Sequence, residues 1–232
     1  PADDVRQAAA QTFEVLQETL GKSVVDAIIP HLLQELQTGG EVEKENALMA
    51  LKDIMGTKAD VVFPILLPNL LLPPMDGFKA SALASLSAVA GTALFRKLSL
   101  VINTLVDSLI HTTATEEEKE NISTSFDEVL VSVDDEGLHT LMQTLLALVK
   151  HEDARKRAVI YERLGPFFTN TTLDYLIYLQ DMISQFVMSL GDRQPEVVSG
   201  TFQALSALTK KQSKETLEKL VKPTREALLI TG

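Results

Sequence analysis

The sequence predicts an all-α protein in which pairs of antiparallel helices stack into a solenoid. Two observations lead to this fold class. The first is the composition, which is rich in leucine and alanine, lacks tryptophan and contains only 5% aromatic residues. Such residues favour helices, whereas strands are enriched in β-branched and aromatic residues. The second is a leucine-rich pattern that recurs at a regular interval along the chain, which is typical of repeat proteins.

The recurring pattern is a leucine-rich helical segment with a proline or a polar residue near its start. It occurs six times at intervals of 35 to 41 residues, with the aligned positions Pro30, Pro68, Asn103, Gln143, Ser184 and Pro223. This interval lies near the roughly 40–47 residues of HEAT and armadillo units and above the 34 of tetratricopeptide repeats. Because a proline inside a helix removes a backbone hydrogen bond, we expect these prolines to bend the outer helix of each pair.

A second helical pattern lies between the leucine-rich segments, so each repeat is predicted to contain two helices. A basic residue recurs near the start of five of its six copies: Arg6, Lys44, Lys79, Lys119 and Arg157. We therefore predict about twelve helices in six stacked, superhelical pairs. Their expected ranges are 2–20, 22–38, 41–56, 58–72, 76–91, 94–112, 116–133, 136–150, 153–168, 172–190, 194–210 and 212–230. No long linker interrupts them, so residues 1–232 are expected to form one continuous array, a piece of a longer solenoid.

Cysteine content and hydropathy narrow the class of protein. The chain contains no cysteine, which excludes disulfides and thiolate metal sites and fits a reducing compartment, with the cytoplasm as the expected location. No apolar run reaches the roughly 18 residues that indicate a membrane span, and the first residues carry no secretory signal pattern. We expect a protein that does not contact the membrane.

Catalytic and cofactor motifs are absent from the sequence. No phosphate-binding loop, zinc-protease motif, dinucleotide-binding turn or nucleophile elbow occurs, and the four histidines show no ligand spacing. We therefore predict a protein that is not an enzyme and that uses no cofactor, no metal and no small-molecule substrate. Protein docking on an extended surface is the function that remains for a repeat array.

The charge distribution suggests where a partner binds. The net charge of −11 argues against a surface that binds phosphate backbones throughout. Two segments are nevertheless basic, residues 150–157 and residues 205–232. The candidate partner-binding residues, with arginine favoured because its planar fork binds carboxylates bidentately, are Arg225, Lys222, Lys211, Lys214, Arg96 and Lys97. Lys222 and Arg225 are predicted to share an outward face opposite an apolar stripe of Leu217, Leu220, Val221 and Leu228.

Two further charged features have alternative interpretations. Arg96 and Lys97 are expected at the start of a helix, where exposed cations add to the positive end of the helix dipole and attract anions. The acidic run 114–136 is more often a solvated helix face than a docking site for a basic partner, and the second interpretation is kept as an alternative.

Three longer strings identify a family. The segments "PADDVRQAAAQTFEVLQ", "ASLSAVAGTAL" and "ALSALTKK" resemble the C-terminal HEAT array of the large translational activators of general amino-acid control. The resemblance runs across all 232 residues in the same order. It implies a protein that associates with ribosomes, especially stalled ones, and passes the uncharged-tRNA signal to a kinase of translation initiation factor two. It also implies docking of the RWD domain of that kinase.

Other functions remain open at the level of sequence. A segment that contacts ribosomal RNA through its basic residues would show binding that weakens steeply with salt. A HEAT adaptor of another pathway, such as nuclear transport or a phosphatase scaffold, would follow the same repeat physics.

Overall fold

The computed structural model describes residues 2–20, 22–111 and 113–230, and the regular structure within those ranges is entirely helical. The helices are α1 (Ala2–Leu20), α2 (Lys22–Thr38), α3 (Glu41–Leu70), α4 (Gly77–Ser87), α5 (Thr92–Phe95), α6 (Leu98–His111), α7 (Glu116–Val131), α8 (Leu138–Leu148), α9 (Ala154–Asn170), α10 (Leu179–Ser189), α11 (Pro195–Lys210) and α12 (Lys214–Ile230). A short 3₁₀ turn, Leu176–Tyr178, precedes α10. The predicted all-α solenoid is confirmed.

The helices form two layers. Helices α1, the first half of α3, α4, α7, α9 and α11 follow one another in the first layer, and α2, the second half of α3, α6, α8, α10 and α12 belong to the second. Apolar side chains spaced three or four residues apart point between the layers, as in α7, where Ile122, Phe126, Val129 and Leu130 are completely buried. This spacing is the pattern from which the helices were predicted.

Two of the five recurring cations of the first layer, Lys79 and Arg157, stabilise the turns that precede their helices. Lys79 Nζ donates to the carbonyl oxygens of Leu72 and Pro74 at 2.8 and 3.0 Å, in the turn that precedes its own helix. Arg157 similarly donates to the carbonyls of His151 and Glu152 at 2.7 and 2.9 Å. Since turn carbonyls need hydrogen-bond partners, a cation early in the following helix provides them locally.

The helix boundaries differ from the prediction in the first half of the chain. The predicted helices 41–56 and 58–72 form one helix, α3, which is interrupted only by the non-helical backbone of Lys58, with φ −138° and ψ 39°. Pro64 and Pro68 lie inside α3 with helical backbone on both sides, so the expected bend at proline stays a prediction. An exposed proline is accommodated here because the carbonyl it frees can bind water.

A left-handed glycine divides the helices predicted over 76–91 and 94–112. Gly91 has φ 53°, a conformation that favours glycine, and it ends the turn after α4. The chain then forms only the four-residue α5 before α6 begins at Leu98. Position 112, the last of the predicted helix, lies outside the described residues, as do positions 1, 21, 231 and 232 of the predicted continuous array.

The chain before α10 is also not the helix that was predicted from residue 172. Residues 171–175 are extended or turn-like, because Thr171 Oγ1 accepts from the backbone N–H of Leu173 at 3.2 Å and Asp174 Oδ1 accepts from that of Leu176 at 3.1 Å. Such side-chain bonds compete with helical backbone bonds. The result is a compact loop between α9 and α10.

Candidate partner-docking surface

Lys222 and Arg225 lie on the exposed face of α12, as the sequence predicted. Lys222 Nζ is 4.0 Å from Glu226 Oε1, and both side chains are more than 60% exposed, so this pair contributes little to stability. Arg225 makes no ion pair with any residue that the structure describes. Its guanidinium is therefore available to a partner.

The apolar stripe predicted for α12 is correct only in part. Leu217 and Leu220 are half-buried, whereas Val221 is 54% and Leu228 50% exposed. The helix packs mainly on α10, and a single neighbour covers only part of an apolar face. The exposed cations of α12 consequently lie close to exposed apolar side chains.

Lys211 and Lys214 lie at the turn between α11 and α12. Lys211 follows the last residue of α11, and its backbone N–H donates to the carbonyl of Leu208 at 3.2 Å. Lys214 begins α12 and is 90% exposed, with Glu218 no closer than 3.8 Å. Together with Lys210 in the last turn of α11, these residues place three cations on one exposed turn.

Arg96 and Lys97 lie elsewhere, between α5 and α6. Both side chains are exposed, but the helix that they were expected to begin does not start at residue 94. Their backbone N–H groups donate to the carbonyls of Thr92 and Leu94, so neither is free to bind an anion. Arg96 and Lys97 directly precede Leu98, the first residue of α6, so the combined attraction of this helix N-terminus and its cations stays a prediction. The turn before α8 carries Asp134, Asp135 and Glu136. Arg96 and Lys97 precede α6 and are thus a separate group from the cations of α11 and α12.

The basic segment 150–157 is occupied by contacts within the chain. Arg157 binds both carboxylate oxygens of Asp192, with Nε–Oδ2 at 2.9 Å and Nη2–Oδ1 at 3.1 Å. Lys156 pairs with Asp107 at 2.8 Å, and Arg155 pairs with Asp153 at 2.7 Å. Because these cations already have carboxylate partners, they are poor candidates for binding another protein.

The pKa values of the paired carboxylates follow from these contacts. Burial raises the pKa of Asp192, but the Arg157 hydrogen bonds and backbone N–H donors outweigh it and lower the pKa. The side-chain and backbone hydrogen bonds from Arg155 lower the pKa of Asp153 to about 2. Both carboxylates are ionised at neutral pH and hold their cations in place.

A third ion pair, between Asp127 of α7 and Arg163 of α9, is less completely satisfied. Arg163 Nη1 donates to Asp127 Oδ2 at 3.0 Å, whereas Asp127 Oδ1 and Arg163 Nε are buried without a hydrogen-bond partner. Burial raises the pKa of Asp127 to about 6, against the opposing effect of Arg163. A raised carboxyl pKa is common at catalytic sites, but this carboxyl lies between packed helices and serves the repeat boundary.

The acidic run 114–136 mostly stabilises its own helix. Glu116, Glu117 and Glu118 occupy the first turn of α7, where carboxylates interact favourably with the helix dipole. Thr115 Oγ1 accepts from the backbone N–H of Glu118 at 3.3 Å and caps the helix. These contacts agree with the interpretation of the run as a solvated helix with an acidic first turn.

The described residues offer no metal site and no membrane-spanning helix. No group of three or more histidine, aspartate or glutamate side chains in those ranges is arranged to hold a metal ion. No helix there is both long and apolar enough to cross a membrane. His139 Nδ1 is 2.7 Å from the Tyr178 hydroxyl, and His151 Nδ1 accepts from the backbone N–H of Asp153 at 3.0 Å, so both histidines have local structural partners.

The two-layer array and its exposed cations define a helical-repeat protein with an extended surface. A family model described as "Stalled ribosome sensor GCN1-like, HEAT repeats" matches residues 62–232. The chain belongs to this GCN1-like HEAT-repeat family, as the resemblance predicted.

Curated relatives agree over nearly the whole chain. The eIF-2-alpha kinase activator GCN1 of Saccharomyces cerevisiae is 47% identical over 229 residues, which is 98% of the chain and 8% of that relative. The stalled ribosome sensor GCN1 of Mus musculus is 32% identical over 211 residues, or 91% of the chain and 8% of the relative. The eIF-2-alpha kinase activator GCN1 of Dictyostelium discoideum is 28% identical over 218 residues, with 94% and 8% covered. The chain thus spans about 8% of the length of these relatives.

Proposed function

We propose that the chain is a non-catalytic scaffold that docks the RWD domain of a translation-initiation-factor kinase. Through this contact it couples stalled ribosomes or amino-acid starvation to activation of the kinase. Two similar proteins are named as activators of the eIF-2-alpha kinase and one as a stalled ribosome sensor, which supports a role in this pathway. Membership of the family also makes an adaptor of another pathway the weaker explanation.

The exposed basic side chains of the last repeat are the observation that carries the docking proposal. Arg225 has no ion-pair partner among the described residues, and Lys211 and Lys214 are exposed at the turn that precedes its helix. In a chain of net charge −11, these side chains attract an acidic surface while the rest of the array repels one. Arg96 and Lys97 form a separate basic group that a second contact would use.

The proposal includes the setting of the docking surface. Residues 1–232 form one continuous array that belongs to a longer solenoid in the cytoplasm, and the ribosome is reached through the rest of that solenoid. Neither a cofactor nor a small-molecule substrate takes part. An extended array suits this role because it offers many side chains to a partner without a deep pocket.

A ribosomal RNA contact is the alternative that one observation favours. Lys210, Lys211 and Lys214 place three cations on a single turn, as a phosphate-binding surface requires. Phosphate contacts release counterions, so affinity for RNA would fall with a slope of about 0.7–0.9 per phosphate against the logarithm of salt concentration. Docking of a protein domain through one arginine shows a shallower dependence.

Titration calorimetry with the purified RWD domain tests the docking proposal. Arg225→Ala is expected to weaken binding by about ten-fold or more, because truncation removes a charged hydrogen bond at the interface. Arg193→Ala is the matched control, since Arg193 is also exposed but lies in the turn between α10 and α11. The circular dichroism of both variants should equal that of the wild type. Absence of wild-type binding contradicts the proposed function, and equal loss in both variants contradicts the role of Arg225.

A further inference from the structure

The loop between α9 and α10 displays two adjacent apolar side chains to solvent. Leu176 is 54% exposed and Ile177 is 82% exposed, in the 3₁₀ turn that precedes α10. Single exposed apolar residues are ordinary on a protein surface. Two neighbouring ones at the tip of an ordered loop need a further reason.

The loop is held rigidly on both sides of these residues. Tyr175 is buried against Phe168, with ring centroids 5.3 Å apart, and its hydroxyl accepts from Gln212 Nε2 at 3.2 Å. On the other side, the Tyr178 hydroxyl is 2.7 Å from His139 Nδ1. The exposed pair is therefore presented in a fixed conformation, which lowers the entropic cost of binding a partner.

The loop has neighbouring helices on both sides of it in the chain. Helices α11 and α12 follow the loop, and Gln212, in the turn between them, bonds Tyr175.

A shallow cavity of about 370 Å³ lies beside the exposed pair. Its walls include Leu176, Thr171, Asp174, Lys211, Ser213 and Thr216, so the loop and the turn between α11 and α12 form it jointly, and each contributes one charged side chain. The cavity thus has an apolar side at Leu176, a positive charge at Lys211 and hydroxyl groups between them. An acidic side chain is the complement of that polar end.

The charges around the cavity favour an acidic side chain of a partner. Lys210 and Lys211 make no ion pair with the described residues, whereas Lys214, which is 90% exposed, lies 3.8 Å from Glu218 Oε1. Asp174 is the nearest carboxylate of the loop, and its Oδ1 is engaged by the backbone N–H of Leu176. Glu215 is held by Lys219 at 2.7 Å, so it does not neutralise the three lysines of the turn.

We propose that the Leu176–Ile177 loop and the adjacent turn form a protein-docking surface for a segment that carries an acidic side chain beside an apolar one. The apolar side chain packs on Leu176 and Ile177, and the carboxylate enters the cavity to bind Lys211 and the neighbouring hydroxyl groups. This surface goes beyond the kinase-docking function because its partner is defined by this chemistry and its centre is apolar. The kinase-docking surface and this second surface share two residues, Lys211 and Lys214.

Site-specific photo-cross-linking in the full-length protein in cells tests the proposal. Benzoylphenylalanine is placed at position 177, and at position 202 as a control, because Phe202 is also apolar and is 67% exposed. Cross-linked peptides are identified by mass spectrometry. We expect position 177 to cross-link, at least five-fold more than position 202, to a protein segment in which an apolar residue lies beside aspartate or glutamate.

Charge reversal provides the second measurement. Lys211→Glu is expected to lower the yield at position 177 at least five-fold, whereas Lys150→Glu, at an exposed lysine in another turn, leaves it unchanged. Equal yields at positions 177 and 202, cross-links to RNA or to a basic segment, or no effect of Lys211→Glu each overturn the proposal. Mass spectrometry names the cross-linked segment: an RWD domain would assign this surface to kinase docking and overturn a separate partner, whereas calorimetry tests kinase docking by itself.

Discussion

Arg157→Ala is expected to be strongly destabilising, because one side chain joins two parts of the array. Arg157 binds both oxygens of Asp192, which lies one repeat further along the chain, and also the carbonyls of His151 and Glu152. Alanine removes all four hydrogen bonds at once. It also leaves the Asp192 carboxylate, 12% exposed, without its counter-charge.

The expected loss follows from these contacts. A hydrogen bond to a charged group contributes roughly 1.5–3 kcal/mol, and removing one partner of a buried ion pair costs about 3–5 kcal/mol. Water reaches part of this site, since Arg157 is 18% exposed, and the two carbonyls can be hydrated in the variant. We therefore expect the free energy of unfolding to fall by about 3 kcal/mol, which corresponds to a Tm lower by about 6–12 °C for a chain of this length.

Thermal and urea unfolding monitored by circular dichroism measure this loss. Arg155→Ala is the matched control, because Arg155 is 62% exposed and pairs only with Asp153 two residues away, and its Tm should stay near that of the wild type. A double-mutant cycle with Asp192→Asn isolates the ion pair. A fall in Tm below about 2 °C for Arg157→Ala, or an equal fall in both arginine variants, refutes the role assigned to Arg157.

Two further predictions concern the packing of α9 against its neighbours. Burial raises the pKa of Asp127 to about 6, so the folded protein binds a proton there more tightly than the unfolded chain does. Lowering the pH from 7 to 4 should therefore stabilise the wild type relative to Asp127→Asn by about 2 kcal/mol, measured by urea titration. An identical pH dependence of both proteins contradicts the raised pKa. Gly200→Val should lower the free energy of unfolding by about 1–3 kcal/mol, because a Cβ at this position lies 3.0 Å from Tyr161 Cβ. Gly165→Ala, with open space around it, should be neutral or stabilising. Similar Tm values for the two variants would rule out close packing at Gly200.

The helices were predictable because their signal is local. In α6, Leu98, Val101, Ile102, Leu105 and Val106 recur at helical spacing, and the structure buries all of them completely. The break in the long α3, at Lys58, falls on the residue at which the second helix was predicted to begin. The break near Gly91 was predicted, but the adjoining helix ends were misplaced, because apolar residues continue on both sides of the glycine.

The availability of a charged residue was not predictable from its own neighbourhood. Segment 150–157 looks like a free basic patch, yet Arg157 pairs with Asp192 and Lys156 with Asp107, both more than thirty residues away in sequence. The register between stacked repeats decides such pairs, and no short window of sequence contains it. The exposure of Ile177 was missed for the opposite reason, because its apolar neighbours extend the helical pattern backwards from α10. Asp174, which bonds the backbone of Leu176, was the available signal for a turn.

The three bridges from α9 have a mechanical consequence. Lys156, Arg157 and Arg163 connect this helix to α6, to the turn after α10 and to α7, so ion pairs join consecutive repeats of the array. We expect these ion pairs to share any force applied along the solenoid, so that this part of the array resists bending. We expect bending of the array to concentrate instead where α3 is interrupted at Lys58. Such alternation lets a repeat array bend as a whole while the surface of each stiff stretch keeps its shape.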